Sequence, residues 1–335
     1  MNILDAINDL NKVTESEEGL YSRKLNQSVN SIAAAYNLII NEVNRLNISD
    51  STKKDIREIV RTVETLTNSI DVGQLDLKNI SVFMQKTNLT SIVSVMQFVS
   101  LFSSPDEVNK LVSDKKDIRI DFKPGANIRG DALKILSPAT VSNLAEFRPT
   151  KHSVATGIGE VLTAVIYKGG ALASSRGDIT IGDESYEIKT DDGTIYPLSE
   201  QPYLYKSISE MLAATNATGS RGNTGSGVRD NFKNEVLSQE QLDKINEIGA
   251  EINVQFNQNT TQQNVFDTLF KLALNTYLKG GEKILLTNAS SKDPKLDKSA
   301  IITSSDTAAS LADRGIKISF SDNRNLGKVF KIKLR

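Results

Sequence analysis

Apolar residues in the first third of the chain recur every three or four positions, and this spacing restricts that third to helices. It holds in two stretches, 25–46 and 56–70. Positions three and four apart share one face of an α-helix, so each stretch predicts a helix with one apolar seam. The polar segment Ser49–Ser51 can cap the second helix by accepting its unpaired N–H groups. So short a break predicts an antiparallel helical hairpin within residues 22–70.

The two seams fit two arrangements. One is a self-contained helical bundle, and the other is a coiled coil that forms homo-oligomers or docks onto a partner protein. Periodicity does not separate them. A third apolar helix is predicted over Thr87–Phe102. We therefore expect a helical domain in residues 1–115 and a second domain in residues 116–335.

The second domain alternates short strands and helices. Strands are predicted at Asp117–Phe122, Asp178–Ile181, Ser185–Thr190, Lys283–Thr287, Ile316–Phe320 and Val329–Leu334, and helices at Ala155–Lys168, Ser199–Thr215, Asn264–Leu278 and Ser305–Asp313. Gly182–Glu184 has the spacing of a hairpin turn. This order predicts an α+β or α/β fold in which a mixed sheet, finished by the last two strands, is flanked by helices.

The composition excludes several kinds of chemistry. The chain has no cysteine, so disulfides, thiolate zinc sites and a cysteine nucleophile are ruled out. His152 is the single histidine, which rules out metal sites built from several histidines. Forty basic residues stand against 41 acidic ones. Any contact with nucleic acid must therefore come from a local basic patch.

No segment predicts secretion or membrane insertion. The chain opens without the basic and apolar regions of a signal peptide. The most apolar window, Leu89–Phe102, is too short and too often interrupted by polar residues to span a bilayer. We therefore expect a soluble protein that is not secreted and has no membrane partner.

Three acidic residues and one lysine are expected to meet at one edge of the sheet. Glu160 is predicted on a helix and Asp178 at the start of a strand. Glu187 and Lys189 are two residues apart on the next strand, so their side chains point the same way. A hairpin would set Asp178 beside them.

Such a cluster favours a divalent cation, because carboxylates close together raise each other's pKa. Mg²⁺ prefers oxygen ligands, and Mn²⁺ can replace it. Asp178 and Glu187 are the expected ligands, with the backbone carbonyl of Ile188, and Glu160 completes a second site or holds a coordinated water. A bound ion activates water for phosphodiester hydrolysis. Lys189 can orient that water or stabilise charge on the phosphate.

This arrangement resembles the PD-(D/E)xK nuclease superfamily. The matching stretches are Gly157–Glu160, Gly177–Ile179 and Tyr186–Lys189, and the resemblance covers about residues 150–215. It implies an αβββαβ core, Mg²⁺ dependence and cleavage of DNA. It also implies that Glu160 is the helix carboxylate, Asp178 the central metal ligand, and Glu187 with Lys189 the D/E-x-K pair. Gly177 departs from the pattern, since proline often precedes the aspartate.

The end of the chain suggests where such a protein acts. Phe320–Asn325 and the strand after it resemble proteins encoded by large tailed bacteriophages. This resemblance implies the cytoplasm of a bacterial host cell, or the phage virion.

The candidate DNA phosphate contacts are basic side chains in the second domain. A loop rich in glycine and hydroxyl residues, 218–228, is predicted to be mobile. The candidates are Lys168, Arg176, Arg221, Arg229 and Arg324.

Two other functions stay open beside a nuclease. One is a phage virion or assembly protein that keeps an inherited, inactive nuclease fold and attaches through its N-terminal helices. The other is a DNA-binding module without catalysis.

Overall fold

The structure is a computed structural model of the chain. It describes residues 40–41, 43–45, 48–69, 74–89, 92–149, 156–174, 177–190, 193–195, 202–215, 232–289, 294–323 and 327–334. The helices are α1 (Asp50–Ser69), α2 (Leu77–Lys86), α3 (Ile92–Ser100), α4 (Pro105–Val112), α5 (Ile128–Ala132), α6 (Pro138–Glu146), α7 (Glu160–Ile166), α8 (Pro202–Ala214), α9 (Gln239–Ala250), α10 (Gln262–Tyr277) and α11 (Ala308–Asp313). The strands are β1 (Gly170–Leu172), β2 (Ile179–Ile181), β3 (Glu184–Thr190), β4 (Gly193–Thr194), β5 (Lys283–Ala289), β6 (Pro294–Ile302), β7 (Ile316–Asn323) and β8 (Gly327–Leu334).

The main sheet has five strands in the order β1-β2-β3-β5-β6. β1, β2 and β3 form an antiparallel meander, β3 pairs with β5 in parallel, and β6 is antiparallel to β5. Parallel neighbours need a long crossover. The segment that contains β4, α8, α9 and α10 supplies it. The predicted class is confirmed as a mixed α/β fold with a mixed sheet and flanking helices.

The expectation that the last two strands finish the main sheet is wrong. β7 and β8 pair with each other along their length, and β8 also pairs with β4. They form a separate three-stranded sheet in the order β4-β8-β7. The reason is that β4 follows β3 directly in the chain and offers its edge to β8.

Two hydrophobic cores cover the two faces of the main sheet. Tyr186 and Ile188 of β3 belong to the first core, with α2 to α7. Ile284 and Leu286 of β5 belong to the second, with α8 to α11 and the three-stranded sheet. The first core contains residues from both sides of the domain boundary expected at residue 115. The division into a helical domain at residues 1–115 and a second domain at residues 116–335 stays a prediction.

Two predicted helices have different bounds in the structure. The apolar stretch Thr87–Phe102 is not one helix, because α2 ends at Lys86 and α3 begins at Ile92. Asn88 between them has φ 60°, a left-handed conformation that ends a helix. The helix expected from Ala155 begins at Glu160 because Gly159 has φ 80° and starts the first turn.

The strand predicted at Asp117–Phe122 is also wrong. Its single ladder contact is an isolated bridge from Ile120 to Tyr167. The side chain of Asp117 accepts hydrogen bonds from the backbone and the guanidinium of Arg119. These local bonds compete with strand pairing.

The second apolar seam is confirmed as α1, and Ser49 caps it by accepting the N–H of Thr52 at 3.2 Å. Most of the first seam, 25–46, lies outside the described residues, so the pairing of the two helices in the hairpin 22–70 stays a prediction. His152 and the loop 218–228 also lie outside the described residues. Among the described helices, none combines the length and apolar character needed to cross a membrane.

Candidate active site

Glu160 opens α7 and points into the protein. Only 6% of the residue is exposed. The backbone N–H of Gly157 donates to its carboxylate. A Cβ on Gly157 would lie 2.3 Å from Glu160 Oε1, so glycine at this position leaves room for the carboxylate.

Asp178 stands immediately before β2, where the β2–β3 hairpin holds it. Its backbone N–H donates to the carbonyl of Tyr186 at 2.8 Å. Its side-chain Oδ2 accepts the backbone N–H of Ile188 at 2.7 Å. The glycine before it, Gly177, has φ 73°, and a Cβ there would lie 2.5 Å from Ser185 Oγ. Glycine therefore fits this turn.

Glu187 and Lys189 point to the same face of β3, as their spacing predicts. Lys189 Nζ lies 2.8 Å from Glu187 Oε1. Both side chains are largely but not completely buried, with exposures of 26% for Glu187 and 22% for Lys189. The sheet thus brings together the carboxylate and the ammonium of the E-x-K pair.

The three carboxylates lie close enough to affect one another electrostatically. Burial first, and then the charge of Asp178, raise the pKa of Glu160 to about 8. Burial first, and then the charge of Glu187, raise the pKa of Asp178 to about 6. The ammonium of Lys189 partly offsets both effects. Buried acidic groups of this kind are typical of sites that hold a cation or move a proton.

The donor set fits Mg²⁺ held by two carboxylates and a backbone carbonyl. Within the described ranges, no three Asp, Glu or His side chains are grouped as a metal cage. Mg²⁺ does not need one, since it usually takes one or two carboxylates and keeps several waters. The N–H of Ile188 points to Asp178, and in a strand the carbonyl of the same residue points the same way. Asp178, Glu187 and this carbonyl are therefore oxygen donors of the kind that Mg²⁺ takes.

Tyr277 is a site residue that the sequence did not reveal. Its hydroxyl donates to Glu187 Oε1 at 2.8 Å, and its ring lies 5.5 Å from Lys189 Nζ. Two donors thus converge on one carboxylate oxygen and fix the orientation of Glu187. The only available signal was a tyrosine in the last turn of the helix before β5. The sequence does not show that β5 pairs with β3, so it gives no reason to place this tyrosine near Glu187.

A second tyrosine lies behind the first. The phenol of Tyr205 is among the groups that raise the pKa of Tyr277, after burial and the charges of Glu187 and Asp178. The Tyr205 hydroxyl is buried and has no hydrogen-bond partner among the described residues. A buried polar group without a partner costs about 1–3 kcal/mol. A functional role is one explanation for a buried hydroxyl that has no hydrogen-bond partner.

The predicted phosphate contacts are mostly outside the described residues. Lys168 is described, and its ammonium lies 3.0 Å from Asp121 Oδ1 in an exposed ion pair. The positions outside the described ranges are Arg176, Arg221, Arg229 and Arg324. Their role stays a prediction.

Comparisons with known proteins identify no relative: no family model, no curated protein and no solved structure matches the chain.

Proposed function

We propose that this protein is a metal-dependent nuclease that hydrolyses phosphodiester bonds of DNA, with Mg²⁺ as cofactor and Mn²⁺ as a substitute. One observation carries the proposal: Asp178 accepts the N–H of Ile188, the residue between Glu187 and Lys189. The hairpin thereby joins the aspartate to the E-x-K pair. The element order α7-β1-β2-β3, crossover helices and β5 supports the proposal, because it matches the αβββαβ core that the resemblance implies.

The acidic residues and the lysine would have separate roles. Asp178, Glu187 and the carbonyl of Ile188 would hold the ion, and Glu160 would hold a coordinated water. When bound, the ion lowers the pKa of water and offsets charge on the phosphoryl oxygens. Lys189 would orient the attacking water or stabilise the negative charge that develops on the phosphate. Burial of Glu160 keeps a proton on its carboxyl near neutral pH, so Glu160 can donate a hydrogen bond in the metal-free state.

The test is cleavage of plasmid and linear DNA by the purified full chain with Mg²⁺. Lys189→Ala and Asp178→Asn should each abolish cleavage and leave the circular dichroism spectrum unchanged. Asp183→Asn is the matched control, because Asp183 is exposed in the turn of the same hairpin. Cleavage by both site variants at the rate of the Asp183 control would refute the proposed roles.

One observation favours a second candidate, a phage virion or assembly protein with an inactive nuclease fold. Lys189 and Tyr277 both already bind Glu187 Oε1, so this carboxylate is neutralised without an ion. Such a protein would use its N-terminal helices for self-association or attachment to a phage partner. Wild-type protein that neither cleaves DNA nor takes up Mg²⁺ would favour this candidate over the nuclease.

A further inference from the structure

The pairing of β5 with β6 becomes irregular beside the start of α7. The last regular pair is Thr287 with Ser299, and the next pair is Ala289 with Pro294. From 287 to 289 the chain takes two steps on β5, whereas from 294 to 299 it takes five on β6. Extra residues of this kind bend a strand and redirect one of its side chains, and they are often found beside active sites.

Leu296 lies in this irregular part of β6 and has φ 51°, a left-handed conformation that bulky side chains rarely adopt. Among the described residues, the other non-glycine residues with positive φ are Asn88 and Asn253. Asparagine tolerates this conformation, so a leucine in it indicates backbone strain. The strain is not needed to bury a leucine, because Leu285 of β5 is fully buried in the same core without it.

The side chain of Leu296 packs against Gly159, the residue that starts the first turn of α7. A Cβ on Gly159 would lie 2.9 Å from Leu296 Cδ2 and 3.1 Å from Leu296 Cδ1. Gly159 has φ 80°, and its carbonyl accepts the N–H of Thr163 at 2.9 Å. Leu296 is 1% exposed. It fills the space beside Gly159, so the start of the helix has no room to move towards β6.

Hydrogen bonds from one asparagine fix the irregular part of β6. The side-chain amide of Asn288 on β5 donates to the carboxylate of Asp297, the residue after Leu296. The side-chain oxygen of Asn288 accepts the N–H of Lys298 at 3.1 Å. The two residues that follow Leu296 are therefore held, and the leucine keeps its strained conformation.

We propose that Leu296 is a positioning residue for Glu160, which follows Gly159 in the chain. The strained leucine restrains the first turn of α7, and this turn directs the Glu160 carboxylate into the candidate active site. Strained backbone conformations cluster at functional sites, where the surrounding structure enforces them. That Glu160 then assists a bound Mg²⁺ ion rests on the proposed function. The restraint on α7 does not, so the two claims can fail separately.

The first test measures amide hydrogen exchange of the full chain without metal. Leu296→Ala should speed exchange of the Thr163 amide, which bonds to Gly159, relative to the amides of β3. Loss of a buried leucine side chain is enough to raise a local opening equilibrium about tenfold or more. The matched control is Leu111→Ala, which removes the same atoms from a leucine of α4 that is 2% exposed in the same core. This control should leave the exchange of Thr163 unchanged relative to that of β3.

Two further variants separate the contact from the strain and from overall stability. Leu296→Gly removes the side chain and also the strain, so it should be at least as stable in urea as Leu296→Ala and show the same faster exchange. Glycine ordinarily costs stability relative to alanine, so a less stable glycine variant would contradict the strain. Leu296→Met keeps nearly the volume of leucine and carries the test if the alanine variant does not fold. Its more flexible side chain should give a smaller rise in exchange at Thr163.

The second test asks whether Leu296 acts through Glu160. In Mg²⁺-dependent cleavage of DNA, Leu296→Ala should lower kcat about tenfold, as loss of a group that orients a metal site typically does, and leave KM nearly unchanged. The double variant Leu296→Ala/Glu160→Gln should be no slower than Glu160→Gln alone, because the effects of residues that act together do not add.

The proposal is overturned if the exchange of Thr163 follows that of β3 in Leu296→Ala, or if Leu111→Ala speeds it equally. It is also overturned if the kcat losses of Leu296→Ala and Glu160→Gln multiply in the double variant. Faster exchange at Thr163 in a protein that never cleaves DNA would support the restraint on α7 and refute the nuclease. Cleavage with an unchanged kcat in Leu296→Ala would keep the nuclease and refute the positioning role.

Discussion

Replacement of Glu160 by glutamine should stabilise the protein at neutral and alkaline pH. The folded state holds this carboxyl at a pKa of about 8, above the ordinary value of 4.5, because it is buried and lies near Asp178. The folded protein therefore binds the proton more tightly than the unfolded chain does. The free energy of unfolding must then fall as the pH rises from about 4.5 to about 8. Glutamine has the shape of the protonated carboxyl at every pH, so the variant lacks this loss.

The size of the effect follows from the two pKa values. One pH unit between them corresponds to about 1.4 kcal/mol. The variant should exceed wild type by about 1 kcal/mol at about pH 5 and by about 4 kcal/mol at about pH 8. The amide oxygen of glutamine can still accept the N–H of Gly157, so that contact is retained. Mg²⁺ should narrow the difference, because a nearby cation stabilises the ionised carboxylate.

Urea unfolding followed by circular dichroism from about pH 5 to about pH 8 measures both curves. The reasoning requires the two free energies to separate as the pH rises. Parallel curves, or a variant that is less stable than wild type at about pH 8, would show that Glu160 is not a buried, proton-binding carboxyl.

Three other predictions concern residues around the site and in the first core. Tyr277→Phe keeps the ring over Lys189 and removes the hydrogen-bond donor to Glu187. Mg²⁺ uptake measured by calorimetry should therefore weaken, while the melting temperature changes little. A strong loss of stability with normal Mg²⁺ uptake would contradict a positioning role for Tyr277. Gly177→Ala should cost about 2–5 kcal/mol of unfolding free energy, since it adds a steric clash with β3 to a positive φ. Gly182→Ala should cost only about 1–2 kcal/mol, because its φ is 61° but its Cβ direction is open; equal losses would refute the steric argument. Glu107→Ala should lower the unfolding free energy by about 2–3 kcal/mol, because this carboxylate accepts hydrogen bonds from backbone and hydroxyl donors at the starts of α4 and α6. An unchanged urea midpoint would show that these hydrogen bonds contribute nothing to stability.

The part of the site that the sequence predicted is local. Two residues, Gly182 and Asp183, turn the chain between β2 and β3, and the hairpin register then brings Asp178 to Ile188. The alternation of β3 puts Glu187 on one face and its neighbours on the other. Short-range geometry was enough for these conclusions.

The other features of the fold and the site depend on pairing between segments that are distant in sequence. The periodicity of apolar residues carries no information on that pairing. Tyr277 reaches Glu187 because β5 pairs with β3 in parallel, across a crossover of three helices. The last two strands pair with β4 and not with the main sheet, and this pairing also joins segments that are distant in sequence. The left-handed conformation of Asn88 interrupts an apolar stretch for which the 3.6-residue period predicted one helix.

The central claim is that Asp178 and Glu187 share a divalent cation beside β3, the middle strand of the main sheet. Calorimetric titration of Mg²⁺ into wild type, Asp178→Asn and the exposed control Asp183→Asn tests it most directly. We predict saturable uptake by wild type and by the Asp183 variant, and none by the Asp178 variant. Equal titrations for all three proteins, or no uptake by wild type, would contradict the claim.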